Sequence, residues 1–586
     1  MPENHDRAGG RTIDLAFAVL KARTESPAPD PLIYLHGGPG GGAVSDLASI
    51  VVPLWDRYRD RRDVVTFDQR AAGISAGMVT CFSTLGANVV DLFHPDRLTD
   101  ERQEQLLAAC TGELKTSGYD LPSYNTVQNA KDVRALMQTL GYASYNIYGV
   151  SYGTKLGLEV MRSAPEGVRS VVLDSVFPPN ARAYDTNILP VQEGVQKVVD
   201  QCAADPACAA AFPDLGATIR RVAEKLRLNP IPAARGRPEI DVRTMIALFE
   251  GRNAFGSWPN TTGHIPLILT EWDRGETKTY DLLASGATAK PPTSADILKP
   301  HAGRLSAEQA ALAKVLLDQA AAGRAAEFAE GQAVQALADS LARSATGAGG
   351  LAARFDDAVT QAIIRTGSRE AMTAFAVAYA GLAARKPSRE DLRALVTDHL
   401  PAADVDPTLA ILDLMTDGDV AAVFAAVSKE ARTAYAPIVG VTDLAVIACQ
   451  EDVPFNSLAG MEAVVAGLSY SFLASSTFVD RSLYEICPFI PPALPFPGFH
   501  DAVRSDIPTL VLYGYNDTQT ATAEAELAAS GLSNGRILGF PEAGHGALIF
   551  SQCAKDIGMA FVERPTEPLA TDCIATLKPK WILPPG

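Results

Sequence analysis

The pentapeptide Gly149-Val150-Ser151-Tyr152-Gly153 constrains this chain more than any other stretch, because of what stands on either side of it. Tyr145-Asn146-Ile147-Tyr148 before it is apolar and β-favouring, the composition of a buried strand. Lys155, Leu156, Leu158, Glu159, Val160 and Met161 after it open a helical pattern. A strand that reverses into a helix within one residue crowds its neighbours. Side chains at Gly149 and Gly153 would collide across so tight a turn, while Ser151 is held out, strained and exposed. The following helix points its amide dipoles back at that hydroxyl, where negative charge develops during acyl transfer.

Other segments supply the sheet that such a turn requires. Residues 12–23 alternate apolar and polar (Ile13, Leu15, Phe17, Val19) and predict an opening antiparallel strand. Residues 31–35 read as a buried strand running into His36-Gly37-Gly38-Pro39-Gly40-Gly41-Gly42, where glycine lets backbone N–H groups approach a ligand closely. A third strand over 63–67 ends in Asp68-Gln69-Arg70-Ala71-Ala72-Gly73-Ile74-Ser75; Asp68 and Arg70 read as structural ties between loops. A helix is predicted over 127–140 and a strand over 169–173. Two late strands follow, 508–514 ending at Tyr515-Asn516-Asp517 and Gly535–Phe540 ending at Pro541-Glu542-Ala543-Gly544-His545-Gly546. Strand–helix–strand alternation implies an α/β fold with a mostly parallel sheet and right-handed crossovers.

After Pro178-Pro179 the character changes. From about 180 to 440 the chain is alanine-rich and helical, as over 307–321, 325–344 and 370–384, and no fixed-period repeat suggests a solenoid. The expected organisation is an N-terminal part of an α/β core over 1–177, a large inserted helical cap over 178–500, and the closing part of the core over 501–586. The run Cys487-Pro488-Phe489-Ile490-Pro491-Pro492-Ala493-Leu494-Pro495-Phe496-Pro497 predicts an extended exit from the cap.

A length of 586 residues is ample for one core with such an insertion. The net charge of −17 leaves no basic stripe to neutralise phosphates, which argues against a nucleic-acid partner, and no apolar run reaches membrane-span length. Eight cysteines occur, at 81, 110, 202, 208, 449, 487, 553 and 573. None forms a C-x-x-C and no histidine completes a zinc site, so no metal is expected. Sequential pairing, Cys81–Cys110, Cys202–Cys208, Cys449–Cys487 and Cys553–Cys573, is favoured because each pair brackets one local excursion; buried free thiols in a reducing compartment are the alternative. The start Met1-Pro2-Glu3-Asn4-His5-Asp6-Arg7 is not a signal peptide. Either the protein is cytosolic or a leader has been removed, and the cysteines favour a secreted or periplasmic protein.

A serine hydroxyl needs a base to take its proton, and the base needs an acid to orient it. In the α/β-hydrolase arrangement the chain order is serine, acid, histidine, met here by Ser151, Asp517 and His545. Among eight histidines only His545 lies on a strand-end loop flanked by glycines. Asp174 also ends a strand and competes for the acid's role. The oxyanion donors expected are the N–H of Tyr152 and one near Gly38. This chemistry calls for no cofactor.

Taken together, His36–Gly42, Phe67-Asp68-Gln69-Arg70, Gly149–Gly153 and the Asp517 and His545 loops resemble the prolyl aminopeptidase group of α/β-hydrolases. The long cap and cysteine-bearing C-terminal part look like its tripeptidyl-aminopeptidase branch. The likeness covers 1–177 and about 440–586; the cap matches in placement and character alone. It departs at Ala71-Ala72-Gly73, where the family usually has Arg-Gly-x-Gly. The resemblance implies an exported serine hydrolase that removes short units from peptide N-termini and holds the free amine with carboxylates at the cap. Cys449-Gln450-Glu451-Asp452-Val453-Pro454 is similar to a family segment with an acid after a cysteine, making Glu451 the candidate amine anchor with Asp452 behind it. Two solvated loop acids are the plain alternative. Rival functions are an esterase or amidase acting on a non-peptide substrate, and a catalytically dead binding protein.

Overall fold

The computed structural model describes residues 1–44, 52–73, 100–116, 118–232, 239–253, 260–284, 351–365, 386–424, 444–476, 481–490 and 492–584, with a few isolated positions between them. They fall into two compact units. One comprises Met1–Cys81, Pro95–Ser285 and Thr433–Gly586; the other comprises Phe82–His94 and Gly286–Arg432.

The first unit holds a seven-stranded sheet: β1 (Phe17–Leu20), β2 (Leu32–Leu35), β3 (Val64–Phe67), β4 (Tyr145–Ser151), β5 (Val168–Val176), β6 (Thr509–Gly514) and β7 (Gly535–Phe540). Their order is β1-β3-β2-β4-β5-β6-β7, parallel throughout except for β1 against β3. Every residue of β2 and β3 is buried, as expected of strands covered on both faces. Their period of two divides the core. Ile33, Leu35, Val65 and Ile147 face one layer with Val133 and Met137 of α1 (Thr126–Thr139) and Leu156 and Val160 of α2 (Tyr152–Ser163). Leu32, Tyr34, Val64, Val172, Leu510 and Leu512 face the other, against Ala554, Ile557 and Phe561 of the helix Gln552–Glu563.

The expected strand over 12–23 shrinks to Phe17–Leu20, because its partner β3 offers only four residues. Before it the chain doubles back, with Glu3 N–H donating to Arg11 O and Ile13 N–H to Met1 O. Arg70 ties loops together as anticipated: buried, it pairs with Asp132 at 2.7 Å and donates to the carbonyls of Glu3 and Ser123. Asp68 accepts the Val44 N–H at 2.7 Å.

Helices Leu189–Ala204, Leu215–Leu228, Val242–Glu250 and Thr261–Asp273 belong to the same unit as the sheet and share a core around Val195, Ile219, Phe249 and Trp272. The second unit has its own core, in which Phe355 and Val359 of Leu351–Arg365 meet Leu392, Val396 and Leu412 from Arg389–His399 and Ala402–Leu414. The predicted helices over 307–321 and 325–344 lie outside the described residues, and most of 370–384 does too. The proline-rich run is not extended at its start. Cys487–Phe489 forms a single 3-10 turn with Pro488 in its first positions, where proline's fixed φ suits a helical start and its missing N–H removes no bond.

Disulfides join Cys202 to Cys208, Cys449 to Cys487 and Cys553 to Cys573, as sequential pairing predicts. Cys110 is also disulfide-bonded, while Cys81 lies outside the described residues.

Candidate active site

Ser151 ends β4 and precedes α2 with φ 58° and ψ −126°, a region that costs a non-glycine residue about 1–3 kcal/mol. The sequence produces this strain by removing every side chain that would oppose it. A Cβ on Gly149 would strike the carbonyl of Gly153, and one on Gly153 would strike the carbonyl of Leu35. A Cβ on Gly37 would come within 2.8 Å of Ser151 Cβ and 3.3 Å of its Oγ, so the glycine loop after β2 lies directly against the serine side chain. That loop is anchored by Gln69 Nε2 donating to His36 O at 2.9 Å and by a 2.6 Å hydrogen bond between Tyr34 Oη and His36 Nδ1. Gly38 adopts φ 122° within it, a conformation open to glycine. Tyr152 is the first residue of α2, where backbone N–H groups have no partner within the helix.

His545 and Asp517 follow β7 and β6 and are brought together: His545 Nδ1 lies 3.1 Å from both Asp517 oxygens. The acid is held by the Gln519 and Thr520 N–H groups at 2.8 and 3.0 Å and by the Thr520 hydroxyl at 2.7 Å. Burial alone would push the imidazole down, but the Asp517 charge and hydrogen bond more than reverse this, leaving His545 above its ordinary value. Burial would likewise raise Asp517, and the imidazole and N–H donors hold it below the usual carboxylate range. The His545 loop reaches β4 as well, since a Cβ on Gly546 would sit 3.6 Å from Val150 Cγ1.

Asp174, the rival acid, is placed differently. Its carboxylate accepts the N–H groups of Ala547 and Leu548 at 2.7 and 3.0 Å and the Tyr148 hydroxyl at 3.0 Å. Ser175 Oγ accepts the Gly546 N–H at 2.7 Å. The end of β5 therefore grips three successive amides after His545, fixing the loop, whereas Asp517 contacts the ring. Burial raises Asp174 to about 6 despite those donors.

Glu451 and Asp452 are buried together with a lysine that the sequence reading passed over. Lys155 Nζ lies 2.9 Å from Glu451 Oε2 and 2.6 Å from Asp452 Oδ1. Glu451 also accepts the Thr126 N–H at 2.6 Å and the Thr126 hydroxyl at 2.7 Å, and that hydroxyl is 2.9 Å from Tyr152 Oη. Burial would push the ammonium down; the two carboxylates hold it above its ordinary value. Asp452 is itself raised, by burial first and then by Glu451, against the pull of Lys155. Tyr152, Lys155 and Glu159 share one helical face and all are buried.

Comparison with known proteins agrees with the fold. Residues 30–277 match the family model for the alpha/beta hydrolase fold, and residues 473–573 match that for TAP-like protein. The sheet therefore carries the α/β-hydrolase fold, and the C-terminal segment is similar to TAP-like protein. Among its relatives, the tripeptidyl aminopeptidase of Streptomyces lividans is 32% identical over 188 residues, 31% of this chain and 35% of the relative. The serine protease Hip1 of Mycobacterium tuberculosis is 27% identical over 239 residues, 38% of this chain and 43% of the relative. The proline iminopeptidase of Neisseria gonorrhoeae is 28% identical over 155 residues, 26% and 35% of the respective chains. The chain thus spans between 35% and 43% of the length of these three relatives.

Proposed function

We propose that this protein is a serine hydrolase working as an aminopeptidase that releases short units from peptide N-termini. The observations that support the reading are a strained serine at the elbow between β4 and α2 and a hydrogen-bonded His545–Asp517 pair on the loops after β7 and β6. In this reading His545 Nε2 takes the Ser151 proton as Oγ attacks the peptide carbonyl. The oxyanion is held by the Tyr152 N–H and an N–H near Gly38. Collapse of the tetrahedral adduct returns the proton from His545 to the departing amine, and water then cleaves the acyl-enzyme by the same route. Asp517 keeps the imidazole in the tautomer that this relay needs.

Two carboxylates face one ammonium in the Lys155 cluster, which leaves a formal negative charge in surplus. Glu451 and Asp452 are proposed to hold the substrate's free amine with that charge. One observation favours the esterase or amidase reading instead: both Glu451 oxygens are already engaged by Thr126 and Lys155. Peptides with free and acetylated N-termini, compared on wild type and Asp452→Asn, test the choice. The aminopeptidase reading expects a loss of roughly 30- to 1,000-fold in kcat/KM confined to free-amine substrates, from an ion pair worth about 2–5 kcal/mol. Equal turnover of both peptides would favour the rival. The three disulfides support a secreted or periplasmic location, and among the described residues no helix is long and apolar enough to cross a membrane.

A further inference from the structure

Five buried side chains form an unbroken polar chain from Asp452 to the residue that follows Ser151. Lys155 Nζ lies 2.6 Å from Asp452 Oδ1 and 2.9 Å from Glu451 Oε2. Thr126 grips Glu451 from its own side, the N–H donating to Oε1 at 2.6 Å and the hydroxyl to Oε2 at 2.7 Å. That N–H is available because Thr126 is the first residue of α1, where backbone donors have no partner within the helix. Tyr152 Oη completes the chain, 2.9 Å from the same hydroxyl.

What each group can donate fixes the direction of these bonds. A carboxylate only accepts, so the single Thr126 hydroxyl proton is committed to Glu451. The hydroxyl oxygen is then left to accept, and Tyr152 donates to it. The two carboxylates differ in what they have left to offer. Both Glu451 oxygens are engaged, whereas among the described residues the Asp452 carboxylate takes one hydrogen bond, from Lys155 to Oδ1. Asp452 Oδ2 is thus the acceptor left for an incoming ammonium. At the other end of the chain, Tyr152 carries the backbone N–H that the proposed mechanism gives to the oxyanion.

We infer, on the aminopeptidase reading, that Thr126 is a positioning residue that couples recognition of a free amine to the oxyanion hole. An ammonium at Asp452 Oδ2 takes up part of that carboxylate's charge, and Lys155 leans towards Glu451. Glu451 draws on the Thr126 hydroxyl, and Tyr152 follows through its bond to that hydroxyl. Buried links of this kind polarise and reinforce one another. A free amine should therefore raise kcat as well as lower KM, because it acts where charge develops in the transition state.

One peptide with a free and with an acetylated N-terminus is compared on the whole chain, kcat and KM being taken separately. Wild type should favour the free amine in both constants. Thr126→Val is nearly isosteric and keeps the N–H bond to Glu451 while losing the hydroxyl. It should lower the kcat preference about tenfold, the weight of one hydrogen bond to a charged group, and leave most of the KM preference. Thr126→Ser keeps a hydroxyl and should keep the kcat preference. A wild-type preference confined to KM overturns the coupling and leaves the amine reading standing. A kcat preference unchanged in Thr126→Val, or equally reduced in Thr126→Ser, does the same. No preference in either constant overturns the amine reading and the coupling together. If Thr126→Val fails to fold, Tyr152→Phe, which keeps its backbone N–H, should show the same selective loss, and an unchanged kcat preference there overturns the coupling.

Discussion

Single residues in this site do separable jobs, so their substitutions should differ in kind. Ser151→Ala should abolish hydrolysis by about 10⁶-fold in kcat while the far-ultraviolet dichroism and melting curve persist. Retention of a tenth of the activity would end the nucleophile assignment. Asp517→Asn should cost about 10⁴-fold, because the amide favours the wrong imidazole tautomer. The pH profile separates the two acids further. The proposed mechanism needs neutral His545, and its pKa is raised in the folded protein, so kcat/KM should fall as pH drops through that raised value. Asp517→Asn removes the charge responsible for the rise, and its acid limb should move to lower pH. Asp174→Asn should cost far less, roughly tenfold, with a small shift in the same direction, because Asp174 acts on the ring only at a distance. A larger loss in Asp174→Asn than in Asp517→Asn, measured on one peptide, would reverse the roles.

Elements differ in how far the chain announced them. Strands β2, β3, β6 and β7 were legible to within a residue, because each is a short apolar run closed by glycine, proline or aspartate. The proposed serine–acid–histidine order was read from the same runs: Ser151 ends β4, and Asp517 and His545 lie in the loops after β6 and β7. The burial of Lys155 was not, since a lysine one turn into a helix ordinarily reaches water. Only the later arrival of Glu451 and Asp452 from another segment makes its interior position tolerable. Lys155→Met should therefore destabilise by about 3–5 kcal/mol in urea titration, leaving two like charges buried together, and adding Glu451→Gln and Asp452→Asn should restore much of the loss. Glu524 offers a second test at the start of the helix Thr522–Ala529. It caps the Ala521 N–H at 2.9 Å, and burial raises it to about 8. In the unfolded chain it ionises near its ordinary value, so the unfolded state releases its proton first and stability falls as pH rises from about 4.5 towards 8. Glu524→Gln keeps the acceptor without the charge. It should raise stability at pH 8 by up to a few kcal/mol, at about 1.36 kcal/mol per pKa unit, and change little at pH 4.

Among the described residues the two units have separate cores, the sheet and its helices in one and the cluster around Phe355, Val359 and Leu392 in the other. Scanning calorimetry should resolve more than one transition, and a single transition with matching calorimetric and van't Hoff enthalpies would show that the two cores melt as one. Replacing Cys449 and Cys487 by serine opens a link of sequence separation 38 and should lower the stability of the first unit by about 2–4 kcal/mol.

Neighbouring β5 and β6 have a consequence measured in time. Val171 pairs with Thr509 in the finished sheet, yet everything between them must be synthesised before the partner exists. At about 5–20 residues per second the ribosome needs tens of seconds to bridge that interval. Throughout it, the open edge of β5 presents unpaired backbone groups of the kind that recruit foreign strands. Ser151 emerges early on that same half-sheet, while Asp517 and His545 follow only near the end, so the nascent chain would carry its proposed nucleophile unarmed until the last strands dock.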